Sequence, residues 1–318
     1  MHARDHYAQS KTTFSFEFFP PKTEKAAESL FENIRELDEL KPSFVSVTYG
    51  AGGTTRSITQ DLVARIRTEI GFSVMPHLTC VCHTEAEIYD ILERYAATGI
   101  SNILCLGGDP PRDKPGYDRS RDAFLRAADL VRYVRKFSNK EGGRTIADPR
   151  GFGIGVAGFP EGHPATPNRL QEMDYLKMKV DEGADFIITQ LFFDNHDFYD
   201  FRDRCELAGI DVPIVAGIMP ISSAKGMRRM GDLAAGARFP ASLLKAVQRA
   251  TDGFGIDTPE GKEAVKRVGI HWATEQSRDL LDHDVRGLHF YTLNKSTATR
   301  EIYANLGVRD SVMLAQGP

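Results

Sequence analysis

TTFSFEFFPPKTEKAAESLFENIRELDEL, residues 12–40, carries two periodicities back to back. Residues 13–19, TFSFEFF, read as a buried strand. Successive strand side chains point to opposite faces, so Phe14, Phe16 and Phe18 share one face while Ser15, Glu17 and Phe19 share the other. From Glu24 onward the apolar residues recur at i, i+3, i+4 and i+7, the period of a helix with one buried face. The stretch is therefore a strand followed by a helix, and it poses a question. Burying an ionised carboxylate is costly unless it is paired, yet Glu17 stands among phenylalanines.

The same alternation continues along the chain. Further strand candidates are FVSVTYG (44–50), SVMPHLTC (73–80), NILCLGG (102–108), FGIGVAGF (152–159), FIITQLFF (186–193), PIVAGIM (213–219) and GLHFYTL (287–293). Between them lie helical patterns such as EAEIYDILERYAATG and NRLQEMDYLKMKVDEG, several ending on Gly. Strands separated by helices pair in parallel through right-handed crossovers. Eight such units in 318 residues fit a closed (β/α)8 TIM barrel better than an open doubly wound sheet. No linker or low-complexity tract divides the chain. Residues 13–318 read as one catalytic domain, residues 1–12 as a mobile lead-in, and 236–260 as an insertion between strands seven and eight.

Composition narrows the function. With 41% hydrophobic and 26% charged residues the chain is globular, and a net charge of −4 offers no general attraction to nucleic acid or anionic lipid. No apolar run approaches a membrane span, and the start MHARDHYAQSK has no hydrophobic signal core, so the expected location is cytoplasmic. Cys80, Cys82, Cys105 and Cys205 lack a zinc spacing and read as reduced, partly buried thiols. Residues 153–158, GIGVAG, match G-x-G-x-x-G. They lie within a strand, and Pro160 and Pro164 follow, so the glycines are expected to serve packing rather than a dinucleotide.

Barrel enzymes place their chemistry at the C-terminal ends of the strands. Those ends carry Glu17; Thr48 and Tyr49; His77 and Thr79; Gly107, Gly108 and Asp109; Glu161 and His163; Gln190 and Asp194; and Tyr291, Asn294 and Lys295. By alternation Glu17 points into the barrel near its mouth. Held there and partly desolvated, it is expected to keep its proton near neutral pH and act as a general acid; pairing with an interior Arg or Lys is the alternative. Asp109 in GGDPP also suits a turn cap, and His77 a satisfied core histidine. Gln190, inside an apolar run, needs hydrogen-bond partners that a ligand can supply. Glu172, Tyr175 and Lys179 fall on one helix face, either solvated or turned to a ligand.

SFEFFPPKT, FVSVTYGAGG, PHLTC, GGDPP, GVAGFPEGHP, KVDEGADFIITQLFFDN, VAGIMPI and GLHFYTLN, in this order from about residue 13 to 310, resemble the methylenetetrahydrofolate reductase family. The likeness is to its short bacterial type, without the C-terminal regulatory domain of eukaryotic members. The resemblance implies a (β/α)8 flavoprotein that holds FAD at the strand ends. NADH or NADPH reduces the flavin and leaves, and 5,10-methylenetetrahydrofolate then enters and is reduced to 5-methyltetrahydrofolate for methionine synthesis. By position, Glu17 matches the acid that protonates the folate and Asp109 the aspartate beside flavin and pterin. Thr48, Tyr49, Ala51, His77, Gly108, Asp109, Ala127, Phe159, His163, Glu172 and Lys179 match cofactor positions. Lys179 is the expected pyrophosphate counter-charge, and Gln190, Met230, Tyr291 and Lys295 match substrate positions. The chain departs from the family at Gly107, where arginine is usual, and at Phe159, Gly226, Met230 and Lys295, which touches FAD affinity and the choice of reductant. Self-association is expected because such enzymes are commonly homo-oligomers. Two other readings stay open: a flavin barrel oxidising an amino acid, and a folate-binding protein without redox activity.

Overall fold

The computed structural model describes residues 1–49, 56–111, 114, 116–138, 146, 148–233 and 237–315. Eight parallel strands close on themselves in sequence order: β1 (Thr13–Phe18), β2 (Phe44–Val47), β3 (Val74–Thr79), β4 (Asn102–Leu106), β5 (Gly153–Gly158), β6 (Phe186–Thr189), β7 (Ile214–Ile218) and β8 (Gly287–Tyr291). The helices are α1 (Ala3–Gln9), α2 (Glu24–Asp38), α3 (Arg56–Arg65), α4 (Glu85–Ala97), α5 (Ala127–Ser138), α6 (Arg169–Asp181), α7 (Asn195–Leu207), α8 (Ala224–Leu233), α9 (Ala241–Thr251), α10 (Pro259–Asp282), α11 (Thr297–Asn305) and α12 (Ser311–Ala315). This is the TIM barrel expected from the alternation of periods. The insertion between β7 and β8 contains α9, which packs along α10.

Local chemistry sets the element ends. Thr23, Thr84 and Asn168 cap α2, α4 and α6 by accepting backbone N–H bonds, and Thr84 with Glu87 forms a reciprocal capping box. Gly99 and Gly183, just beyond α4 and α6, adopt positive φ, as the glycine stops in the sequence imply.

The barrel wall separates two apolar layers. Phe14, Phe16 and Phe18 are fully buried in the layer between sheet and helices, and Phe14 and Phe16 meet the α11 residue Tyr303 edge-on. Inside the barrel, Phe44, Met75, Leu104, Phe186, Ile188 and Val215 form a smaller cluster with Ala3 and Tyr7 of α1. The alternation read in β1 is thus the alternation the fold uses.

The β5 glycines serve packing, as expected. A Cβ on Gly155 would stand 2.6 Å from the Phe186 ring, and one on Gly158 would stand 2.7 Å from Phe201 of α7. No helix starts there; Gly158 is followed by the turn that leads to α6.

Two expectations are corrected. The expectation of a mobile segment over residues 1–12 is not met, because α1 packs against the N-terminal end of the barrel. Tyr7 is buried against Phe186, the Ala3 amide donates to Asn102 Oδ1 at 2.6 Å, and Arg4 pairs with the fully buried Asp185 at 2.7 Å. Arg135 of α5 binds the other Asp185 oxygen, which also accepts the Ile154 amide at 2.8 Å. A seven-residue helix is unstable alone, so its order comes from these tertiary contacts, which local periodicity does not reveal. Strand six was read through Phe193, but β6 ends at Thr189 and Gln190 lies just past it.

Candidate active site

Register brings the interior polar groups together. Glu17 of β1 lies opposite Ser46 of β2 on one side and Tyr291 of β8 on the other, while Ser15 lies opposite His289. The Glu17 side chain, 18% exposed, points inward, with Oε2 3.4 Å from His77 Nε2 and 3.6 Å from His289 Nε2. Among the described residues no lysine or arginine pairs with it. The interior-cation alternative does not describe this site.

His77 is buried, and burial pulls its pKa down to about 4, a shift that the Glu17 charge opposes. Its ring is therefore neutral at pH 7. Its Nε2 approaches Glu17 without hydrogen-bond alignment and has no other hydrogen-bond partner among the described residues. His289 is fully buried; its Nδ1 is 2.7 Å from Ser15 Oγ and its Nε2 3.4 Å from Ser46 Oγ. Tyr291 packs edge-on to His289 and donates to the Thr189 carbonyl at 2.7 Å. Gly217 permits this crossing, because a Cβ there would stand 2.8 Å from the Tyr291 ring. Burial, then the Glu17 charge, raises the Tyr291 pKa well above its usual value.

Beside the mouth lies a cleft of about 650 Å³. Gly107, Gly108 and Asp109 after β4, Ala127 at the start of α5, Phe159 and His163 after β5, Glu172, Tyr175 and Lys179 of α6, and Gln190 after β6 all line it. The α6 face is thus turned to the cleft rather than to open solvent. Lys179 donates to the Ala157 carbonyl at 2.6 Å, and burial lowers its pKa to about 8. Glu172 Oε1 accepts the His163 amide at 3.1 Å, its Oε2 is buried without a hydrogen-bond partner among the described residues, and burial raises its pKa. The Gln190 Oε1 accepts the Leu191 amide at 2.9 Å, and its NH2 group has no hydrogen-bond partner among the described residues. Gly108, at positive φ, packs so closely that a Cβ would meet Val81 at 2.6 Å, whereas a Cβ on Gly107 would meet nothing within 4 Å.

The other sequence candidates sit elsewhere. Thr48 is half-buried at the end of β2, and the buried Tyr49 has its hydroxyl 3.0 Å from His83 Nε2. Met230 is buried in a second apolar cluster, with Leu191, Phe193, Ile221 and Met227, that abuts Tyr291. Lys295 is exposed just past β8. Ala51 lies outside the described residues. Two site residues were not picked out from the sequence. His289 shares the inward parity of Tyr291 in GLHFY, a signal that was available. Arg119 donates to the Gly107 and Gly108 carbonyls at 3.1 and 3.4 Å, a contact across a loop that leaves no mark on local pattern.

Comparison with known proteins follows the same outline. The family model "Methylenetetrahydrofolate reductase" matches residues 2–307. The chain belongs to the methylenetetrahydrofolate reductase family. Methylenetetrahydrofolate reductase (NADH) 1 of Arabidopsis thaliana is 41% identical over 97% of the chain, and that match spans 50% of the plant protein. The chain thus spans about half the length of the plant relatives it matches. 5,10-Methylenetetrahydrofolate reductase of Escherichia coli is 38% identical over 95% of the chain and 93% of its own length. A Clostridium thermocellum protein, described as binding two copies of 5-methyl-5,6,7,8-tetrahydrofolic acid, shares the fold across 98% of this chain and 99% of its own (TM-score 0.64, 13% identity). No described helix is long and apolar enough to cross a membrane.

Proposed function

We propose that this family member reduces 5,10-methylenetetrahydrofolate to 5-methyltetrahydrofolate, taking electrons from NADH or NADPH through FAD in two separate half-reactions. The observation that carries this reading is Glu17, an inward carboxyl flanked by two histidines and, among the described residues, by no lysine or arginine, in a barrel whose strand ends also carry a ligand-sized cleft.

The cleft suits a flavin dinucleotide. Its volume accommodates a large ligand. Within it, the buried Glu172 Oε2, without a hydrogen-bond partner among the described residues, offers a polar contact, and Lys179 offers a cation for a diphosphate; His77, outside the cleft lining, is a further proposed cofactor residue. Thr48, Tyr49, Ala51, Gly108, Ala127, Phe159 and His163 complete the proposed cofactor set. When bound, FAD supplies the capacity to hold and release a hydride.

The chain's own residues do the rest. Glu17 gives its proton to the folate as the five-membered ring opens, leaving an electrophilic iminium carbon. His77, its pKa lowered to about 4 by burial, sits against Glu17 as a neutral ring at pH 7. Asp109 provides negative charge that favours the cationic substrate. Gln190 presents its free amide to the pterin edge, while Met230, Tyr291 and Lys295 form the remaining substrate contacts. Cytoplasmic location and self-association belong to the same reading. NADH is the first reductant to test, since the plant relatives carry it in their names.

Rapid mixing of the two half-reactions tests the proposal. Glu17→Gln should slow oxidation of the reduced enzyme by methylenetetrahydrofolate by about 10²-fold or more, and leave reduction by NADH unchanged. Normal folate reduction by that variant would remove Glu17 as the acid. Wild-type protein that purifies without flavin and binds none would remove the redox reading.

A further inference from the structure

Arg238 and Phe239, which lie between α8 and α9, are held by the turn after β5, the start of α7 and the loop after β6. Glu161, in the turn after β5, accepts the Arg238 amide on its two oxygens at 3.0 and 3.2 Å and the Arg238 Nε at 3.2 Å. The same guanidinium donates to Asp197 in the first turn of α7. One residue on, Phe239 stacks on Phe193 with ring centres 4.7 Å apart. The Glu161 side chain is only 8% exposed, whereas that of Arg238 is 62% exposed. A nearly buried carboxylate therefore depends on one surface arginine for its charge partner.

An exposed ion pair alone contributes little to stability. The position of this one gives it meaning. Glu161 is two residues from Phe159 and two from His163, both of which face the cleft. On the far side, α8 sends Met227 and Met230 into the apolar cluster that reaches the mouth through Leu191 and Tyr291. The Arg238 contacts span the gap between these walls, crossing the loop that follows β6.

We propose that Arg238 is a positioning residue: its grip on Glu161 and Asp197 fixes the spacing between the β5 turn and the α8 wall, and so the fit of the flat pterin between them. The identity of the pterin rests on the function proposed above; the coupling of Arg238 to α8, through the packing of Ala237 and Phe239 against Met227 and Met230, does not. Arg238 touches no reacting atom in this scheme. Its loss should loosen substrate fit and spare the chemistry of the first half-reaction.

Steady-state and half-reaction kinetics on the flavin-loaded protein, together with amide hydrogen exchange across 224–233, test this. Arg238→Ala should raise the KM for methylenetetrahydrofolate about tenfold, keep flavin reduction by NADH within twofold of wild type, and speed exchange in α8. Arg238→Lys should recover most of the KM. Glu161→Gln, which keeps the side chain's shape, should give a smaller shift in the same direction. An unchanged KM, an equal loss in flavin reduction, or no recovery with lysine overturns the proposal. If wild-type protein neither binds flavin nor turns over folate, the functional reading falls. Exchange then decides the coupling alone: faster α8 exchange in Arg238→Ala supports it, and unchanged exchange overturns it.

Discussion

Asp185 at the floor of the barrel and Glu17 at its mouth are carboxylates of one closed sheet, in surroundings of opposite kind. Asp185 is fully buried, held by Arg4 and Arg135 and by a backbone amide. Glu17 keeps a fraction of its surface open and faces two imidazoles. At the floor, charge is committed to fixed cations and the bonds brace α1 against β5 and α5. At the mouth, no lysine or arginine among the described residues pairs with the carboxylate, and the neighbouring His77 Nε2 makes no aligned hydrogen bond among them. Two carboxylates of one sheet are thus held in opposite ways, one between fixed cations and one beside two imidazoles. This matches the general division of such barrels into a stabilising N-terminal face and a working C-terminal face.

The largest break in this contrast should come from Asp185→Asn. It leaves Arg135 facing a neutral amide inside the protein, and breaking a buried pair in this way costs about 3–5 kcal/mol. Urea midpoints should fall accordingly, while the half-reaction rates of the protein still folded stay at wild-type values. An equal loss of rate would mean that the floor shapes the mouth.

Acid should weaken both ends for one reason. His6 of α1 and His77 are buried, and burial lowers each pKa to about 4. The unfolded chain binds those protons nearer 6.5, so stability is full above that value and falls as pH drops from 6.5 toward 4. Each histidine accounts for up to about 3 kcal/mol of this loss. Tm against pH in His6→Phe and His77→Asn separates the two shares, and a flat profile in wild type would contradict both.

His289→Gln sharpens the comparison further. It keeps a polar group near Ser15 but removes the ring beside Glu17. The folate half-reaction should slow by about tenfold, less than for loss of the acid itself, and flavin reduction should hold. The smallest effect is a slope. A charged Lys179 requires a proton, and its pKa is about 8, so flavin affinity should fall above pH 8 by at most about tenfold per unit, as measured by flavin fluorescence. Lys179→Met should flatten that slope.

The barrel was legible because its strands and helices carry distinct periods, and because β1 displays its two faces so plainly. The cleft was legible in part. Glu172, Tyr175 and Lys179 share a face by helical spacing, yet only the closed sheet shows that this face looks onto Gln190 and Asp109. What stayed hidden depends on contacts between distant residues: α1, too short to declare itself; Arg119 beneath the β4 loop; and the Arg238 grip on Glu161. His289 is a different case, since parity along its strand marked it as inward-facing.

The seam between β1 and β8 has one more consequence. Its strands are far apart in the chain, with Ser15 and His289 separated by 274 positions, and Asn294 stitches the join by exchanging two hydrogen bonds with the Phe19 backbone. On the ribosome, the phenylalanine-rich first strand has no neighbour on that side until the last one emerges, an interval on the order of tens of seconds. Throughout that wait its bare edge is open to pairing with other nascent chains. Yield of active protein should therefore depend on translation speed and chaperone supply more than the stability of the finished barrel would suggest.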